Sequence, residues 1–558
     1  MRPPEAHGHN QRVSAAPRPD KARWTLSASI ESVLLATSLF WAVAVNRQFF
    51  AAALQGQTAG NVRFVLASGA ALVALHFLLL APLATRWTLK PLLAVLLVGT
   101  AFASFFMAQF SVYLDPSMLR NVLRTDVHEA RELFSWAMLP HLLLLAVLPL
   151  LLLWRVQLLP RRSWGRALAL RLGSMALALV VLVAAVLSIF QPLASLMRNQ
   201  KELRYLITPA NYLWSLAAVA GLDARAAAGP KKAIGQDARQ GPRASARTKP
   251  LLVVLVVGET ARAANWGLNG YARATTPELA QLPVISFAQT TSCGTNTETS
   301  LPCMFAPVGR RDYDEATIRG SESLLPMLAR AGVGVHWRDN QSGCKGVCDG
   351  VPSDQVIALN PPGLCADGRC FDEGLLTGLE TRLQQAKGTQ LLVLHQLGNH
   401  GPAYFRRYPP AFARFQPACE SDDLRRCTQQ QIVNAYDNAL LYTDHVLAQL
   451  IQRLQAQAGQ VDSAVLYVSD HGESLGENNL YLHGLPYAIA PDVQKRVPML
   501  LWLSTGFPAA AGIDAACLRQ RATQPAAHDH LFHTLLGLLD VRSSVYAADW
   551  DLTRDCRR

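Results

Sequence analysis

Three apolar runs of the sequence end in residues suited to holding a divalent metal. LLVVLVV (251–257) leads into Gly258-Glu259-Thr260, QLLVLHQL (390–397) into Gly398-Asn399-His400, and AVLYVS (464–469) into Asp470-His471-Gly472-Glu473, with His483 twelve residues beyond His471. Carboxylate oxygens and imidazole nitrogens are the ligands zinc prefers. One acidic residue after a strand signifies little, since capping or surface exposure explains it, but three such tips together point to a single metal centre. The segment TTSCGTNTETSLPCMF (290–305) adds a hydroxyl: Thr297 lies in a Cys-Gly-Thr-x-Thr turn, with a helix expected to begin just after it. A helix N-terminus favours an anionic phosphoryl group. A threonine hydroxyl is inert unless a base or metal activates it; zinc does so and also draws in phosphoryl oxygens. Taken alone, a Thr-rich loop is more often a plain turn.

What positions these residues is an alternation of strands and helices. Further buried-strand patterns occur at VGVHW (333–337) and PMLLWL (498–503), separated by helical patterns at 322–331, 373–386 and 428–455. This alternation predicts an α/β domain with a mostly parallel sheet over 251–558, in which ligands bind at the carboxyl ends of strands.

The first half of the chain is of another kind. Five apolar stretches, at 27–46, 63–84, 91–110, 136–154 and 172–191, are each about long enough to cross a bilayer as a helix. No cleavage pattern precedes the first, so the polar tail 1–26 is expected to remain, with span one as an anchor. Basic residues gather in the tail (Arg2, Arg12, Arg18, Lys21, Arg23), the second loop (Arg86, Lys90) and the fourth (Arg155, Arg161, Arg162, Arg166, Arg171). The positive-inside rule therefore puts the N-terminus in the cytoplasm and everything after residue 192 outside. Residues 193–220 read as an interfacial helix and 223–250 as a flexible linker.

Charge and cysteine follow the same division. The net charge of +12 divides into a surplus of 17 before residue 251 and a deficit of 5 after it. The polar half is thus a poor match for a phosphate backbone, and nucleic acid is excluded as a partner. All 10 cysteines follow residue 292. An even count in one polar domain reads as disulfides in an oxidising compartment; the pairs that suggest themselves are Cys293/Cys303, Cys344/Cys348, Cys365/Cys370, Cys419/Cys427 and, by elimination, Cys517/Cys556. A zinc cluster or free buried thiols are the alternatives.

The motifs Gly258-Glu259-Thr260-x-Arg262-x-x-Asn265-Trp266, Cys293-Gly294-Thr295-x-Thr297, Asn399-His400-Gly401-Pro402, Ser469-Asp470-His471-Gly472-Glu473-Ser474 and Leu482-His483-Gly484 resemble those of the periplasmic phosphoethanolamine transferases. These belong to the alkaline phosphatase superfamily and include the lipid A-modifying and mobile colistin-resistance enzymes. The resemblance covers nearly the whole chain. It implies that Glu259, Thr297, Asp470 and His471 hold the main zinc, and that His400 and His483 face the phosphoryl group, holding a second zinc or protonating the leaving group. It also implies that Ser342 and Lys345 bind the phosphoethanolamine moiety. Asn121, Thr125 and Glu129 recur every four residues in 115–134, so they are expected to share one helical face. The resemblance gives them the ethanolamine-bearing donor lipid, with Glu129 on the ammonium; the plain reading is the polar face of an amphipathic helix. His395 alternates with apolar residues and reads as a core histidine. Glu31 reads as reaching the cytoplasmic interface, and His76 has no assigned role.

The implied activity is zinc-dependent transfer of phosphoethanolamine from phosphatidylethanolamine to lipid A, through a covalent intermediate on Thr297, at the outer face of the bacterial inner membrane. Less negative lipid A would resist polymyxin. A related transferase using phosphatidylglycerol or another glycan is the nearest alternative. A sulfatase lacks its Cys/Ser-x-Pro-x-Arg motif here, and no repeat or ion pathway suggests a transporter.

Overall fold

The computed structural model describes residues 26–54, 62–125, 127–160, 163–227 and 229–557. The tail and part of the fourth loop, with Arg161 and Arg162, lie outside the described residues.

Among the described residues, four helices are long and apolar enough to span a membrane: Val62–Leu80, Leu89–Phe110, Met138–Arg155 and Trp164–Ser188. The first expected span is a bent pair, Ile30–Val45 and Arg47–Ala53, which meet at 54°. The bend has a cause in hydrogen bonding. The Trp41–Val45 turn is a π-helical segment, and buried Asn46 donates from Nδ2 to Trp41 O (2.9 Å) and to Thr208 O (2.7 Å). Bulges of this type are a recognised source of kinks. The last span begins at Trp164, earlier than expected, and takes in Arg166 and Arg171. Arg171 is satisfied inside the bundle, where Nε donates to Glu31 (3.0 Å) and Nη1 to Ala81 O and Ala84 O. Glu31 therefore has a partner within the protein in place of the interface. His76 is buried edge-on to Trp41, with ring centroids 5.8 Å apart.

The interfacial segment comprises a helix at Phe190–Asn199, a 3₁₀ turn at Lys201–Leu206 and a helix at Ala210–Ala227. The expected flexible linker is instead fastened to the next domain. Lys231 Nζ meets Asp349 at 2.8 Å, Lys232 bridges to Ser321, Arg239–Gln240 pairs with Val541–Arg542, and the Asp540 carboxylate accepts from Arg243 N at 2.9 Å. Ala-, Gly- and Lys-rich composition reads as flexible, but these side-chain partners are supplied from far along the sequence.

The remainder is built on one eight-stranded sheet. Its strands are β1 (Leu251–Gly258), β2 (Ile285–Thr291), β3 (Gly334–Asp339), β4 (Ser353–Gln355), β5 (Thr389–His395), β6 (Asp462–Ser469), β7 (Arg496–Leu503) and β8 (Ala526–Ala527). Their order is β8-β2-β7-β6-β1-β5-β3-β4. Only β7 runs antiparallel to its neighbours. Both faces are covered, which is why β1 is apolar throughout and does not alternate. Leu251, Val253, Leu255 and Val257 pack with the Asp529–Leu538 helix on one side. Leu252, Val254 and Val256 pack with the long Gln429–Ala456 helix on the other. All ten cysteines are paired as Cys293–Cys303, Cys344–Cys348, Cys365–Cys370, Cys419–Cys427 and Cys517–Cys556.

Candidate active site

Because β1 lies between β5 and β6, their carboxyl ends gather three chemical groups side by side. Glu259 follows β1, Asp470-His471 follows β6, and Asn399-His400 follows β5. Close packing requires glycine at two of these tips. A Cβ on Gly398, which has φ +52°, would lie 2.5 Å from Glu259 O, and one on Gly472 would collide with Val493 O. Thr260 takes φ +58°, an outlying conformation for a β-branched residue. It is held there because its N–H donates to Asp470 Oδ1 (3.1 Å) and its hydroxyl to Glu259 Oε1 (2.5 Å).

Thr297 opens the Thr297–Met304 helix, capped by Asn296, whose side chain accepts from Thr299 N. Its hydroxyl donates to Glu259 Oε2 at 3.0 Å and stands 3.4 Å from His471 Nε2. His471 Nε2 in turn lies 3.2 Å from Glu259 and 3.5 Å from Asp470. Glu259, Asp470 and His471 each present a ligand atom within 4.8 Å of the others, and all are buried. The donor set fits a divalent cation. Asp470 Oδ2 is buried without a hydrogen-bond partner, while His471 Nδ1 is engaged by Gly472 O at 2.9 Å, leaving Nε2 to face the carboxylates. Burial, then Glu259, pushes the Asp470 carboxyl up to about 6. Burial lowers the His471 imidazole, but Asp470 and Glu259 outweigh it and raise it to about 10. The pocket is built to be completed by positive charge.

His400 and His483 form the facing wall, with ring centroids 5.7 Å apart. His400 Nε2 is 3.3 Å from Glu129 Oε1, and this carboxylate overcomes burial to raise the imidazole to about 9. His483 Nδ1 pairs with buried Glu473 at 2.8 Å. Lys345 Nζ donates to Ser342 Oγ at 2.7 Å. Glu129, Gln341, Ser342 and His400 line one cleft.

A family model described as "Phosphoethanolamine transferase EptA/EptB" matches residues 72–223, and one described as "Sulfatase" matches residues 252–541. The phosphoethanolamine transferase EptA of Escherichia coli is 39% identical over 540 residues, covering 95% of this chain and 98% of its own. The chain belongs to the phosphoethanolamine transferases. The phosphatidylethanolamine transferase Mcr-1 of Escherichia coli is likewise 39% identical, over 95% of this chain and 97% of its own. Among solved structures, the integral membrane protein lipooligosaccharide phosphoethanolamine transferase A (EptA) from Neisseria meningitidis superimposes with a TM-score of 0.90 at 37% identity. That match covers 96% of this chain and all of the other.

In this transferase Asn121, Thr125 and Glu129 do not share one helical face. The helix Pro116–Arg124 ends at Thr125, whose backbone is extended, and a separate helix, Val127–Glu132, carries Glu129. Thr125 ends the first helix by donating its hydroxyl to Asn121 O at 2.8 Å. Glu129 reaches the cleft, while Asn121 and Thr125 do not line it. His395 is a buried residue paired through Nδ1 with Asp339 at 2.9 Å.

Three further contributors had no role assigned from the sequence. Gln341 Nε2 reaches Glu259 Oε2 at 3.4 Å and its Oε1 accepts from Ser342 Oγ at 2.6 Å, so it joins the carboxylate to the Ser342–Lys345 loop. Glu473 orients His483; its place two residues after His471 was the available signal. His528 accepts from Cys293 N at 3.0 Å and pairs through Nε2 with Ser469 O at 2.9 Å, bracing the turn before Thr297 against β6.

Proposed function

We propose that this transferase moves phosphoethanolamine from phosphatidylethanolamine to lipid A in two steps, with Thr297 as the nucleophile. The observation that carries the reading is the Thr297 hydroxyl, at the start of a helix and 3.0 Å from Glu259, beside the cation-fitting trio of Glu259, Asp470 and His471. These four residues would hold zinc, which when bound lowers the pKa of the hydroxyl and offsets charge on the phosphoryl oxygens. Ser342 and Lys345 bind those oxygens, Lys345 as a point charge, and Glu129 receives the ammonium, with Asn121 and Thr125 on the approach of the donor.

In the first step the Thr297 hydroxyl passes its proton to Glu259 Oε2, the Oγ–phosphorus bond forms and the bond to the diacylglycerol oxygen breaks. That oxygen takes a proton from His400 or His483. In the second, an acceptor oxygen attacks the phosphoethanolamine-threonine and Thr297 is released, recovering its proton from Glu259. His400 and His483 stand ready to take the acceptor's proton, by microscopic reversibility. The helix N-terminus supports the anionic group throughout.

Phosphatidylethanolamine and lipid A as donor and acceptor are supported by relatives named for phosphatidylethanolamine transfer and for Kdo(2)-lipid A. Adding an ammonium to an acidic lipid A lowers surface negative charge, so polymyxin binds less. The protein sits in the inner membrane, N-terminus inside and residues 251–558 in the periplasm, consistent with five disulfides there. A phosphatase reporter fused after residue 250 would then be active, and one fused in the Arg155–Arg171 loop inactive. The decisive experiment incubates the protein with donor lipid and no acceptor, then maps the peptide 290–305. An adduct on Thr297 together with diacylglycerol release is expected; turnover with no adduct after rapid quenching overturns the covalent route. Mass spectrometry of lipid A from expressing cells tests the acceptor.

A further inference from the structure

The helix Val127–Glu132 carries two carboxylates three residues apart, and both act on one loop of the catalytic domain. Glu129 faces the His400 ring at 3.3 Å. Glu132, nearly fully buried at 3% exposure, forms ion pairs with Arg407 and Arg369. The Arg407 side chain is 1% exposed, and while Nη2 binds Glu132 its Nε donates to the backbone carbonyl of His400 at 2.6 Å. His400 is thus held at two points, by its ring through Glu129 and by its main chain through Arg407. Both holds originate on one turn of a helix outside the catalytic domain.

We propose that Glu132 and Arg407 are positioning residues for His400, fixing the loop so that Nε2 meets the phosphoryl group. The inference rests on the reading of His400 as the proton carrier. Three features favour it over a merely structural ion pair. A guanidinium presents Nε and Nη2 in a rigid fork, so one arginine can grip a carboxylate and a carbonyl in fixed relation. The remaining Nη1 of Arg407 is buried with no hydrogen-bond partner, so Glu132 and the His400 carbonyl are the groups that hold this guanidinium in place, and neutralising Glu132 loosens the carbonyl contact with it. Residues at i and i+3 face the same way, so any shift that frees Glu132 also moves Glu129 away from the ring.

The test uses the full-length, detergent-solubilised enzyme and follows diacylglycerol release from phosphatidylethanolamine. Glu132→Gln should lower kcat about ten- to a hundredfold, because a small misplacement of a reacting group has that cost, while the donor KM stays within about twofold. Arg407→Lys keeps the charge for Glu132 but loses the fork, and should show the same kcat-selective loss with melting temperature and metal content near wild type. It also keeps the test open if Glu132→Gln folds poorly. Glu132→Asp should recover part of the activity. The double variant Glu132→Gln/Arg407→Lys should be no worse than the poorer single, since both break one link. Wild-type kcat in Arg407→Lys, or losses that multiply in the double variant, would overturn the proposal. A His400→Ala enzyme with normal turnover would overturn the reading beneath it; inactive His400→Ala beside fully active Arg407→Lys would sink the positioning link alone.

Discussion

Ser117 Oγ lies 2.7 Å from Thr299 Oγ1 and also accepts a hydrogen bond from Asn296 Nδ2 at 2.9 Å, so a residue of the Pro116–Arg124 helix holds the positions on either side of Thr297. The same helix sends Arg124 to Glu298 at 2.6 Å. Thr297 is therefore braced by the Pro116–Arg124 helix as well as from its own domain. Ser117→Ala removes two part-buried hydrogen bonds of about 1 kcal/mol each. Turnover should fall roughly five- to thirtyfold, with melting temperature changed by only a few degrees. Steady-state kinetics on the purified variant check this, and unchanged turnover would show that the brace is idle.

Thr297→Ala should abolish both diacylglycerol release and acceptor modification, because the attacking oxygen is gone. Thr297→Ser keeps an oxygen and should retain measurable release, reduced because the hydroxyl is no longer held by a branched, rotamer-restricted side chain. Metal content of both variants, measured alongside, separates loss of the nucleophile from loss of the cation. An active Ala variant would remove Thr297 from the chemistry.

Lys345→Ala should weaken donor binding about tenfold or more, as expected for a charge-assisted contact to a phosphate oxygen. The Lys345 ammonium is otherwise held by Ser342. Gln341→Ala should act more mildly on the same parameter, since Gln341 orients Ser342 without bearing charge. Donor titration of initial rates separates the two, and equal KM values for Lys345→Ala and wild type would contradict the assignment.

Stability should depend on Asp444, remote from the site. This buried carboxylate accepts from Glu278 N and Leu279 N, both at 2.9 Å, and burial pushes it up to about 7 from an ordinary 3.8. An acid raised on folding favours the fold fully below its unfolded pKa, and that contribution is lost as pH climbs through the folded value. Wild type should therefore lose melting temperature relative to Asp444→Asn between about pH 4 and 7, and run parallel to it above that. Parallel curves throughout would show that Asp444 does not titrate in this range.

Removing the Cys293–Cys303 bridge as a double alanine variant should cost about 2–3 kcal/mol, since it closes a short loop around Thr297. Denaturant unfolding with and without reductant measures it. Thiol titration of the native protein should find no reactive cysteine, as all ten are paired.

Much of this site was legible because its ligands sit at strand tips, and strands announce themselves as apolar runs. Glu259, His400 and Asp470-His471 each follow such a run directly. The local disulfide pairs were legible for a similar reason, since their partners are close in sequence. Residues that act across long separations left no such trace. His528 bridges Cys293 and Ser469, and Arg120 is buried between Asp223 and Glu315, yet each looks ordinary among its sequence neighbours. Spacing misled where a single hydroxyl intervened: Thr125 ends the helix that a four-residue repeat would have carried on to Glu129. Composition misled at 229–249, where the partners are supplied by 540–544 and 349.

That fastened segment sets a fixed spacing. With Asp237 held by Ser543 and Ser544 and Lys231 by Asp349, the catalytic face cannot be paid out on a loose tether. It stays beside the Pro116–Glu132 segment, so the contacts of that segment at His400 and on either side of Thr297 keep one fixed relation to each other.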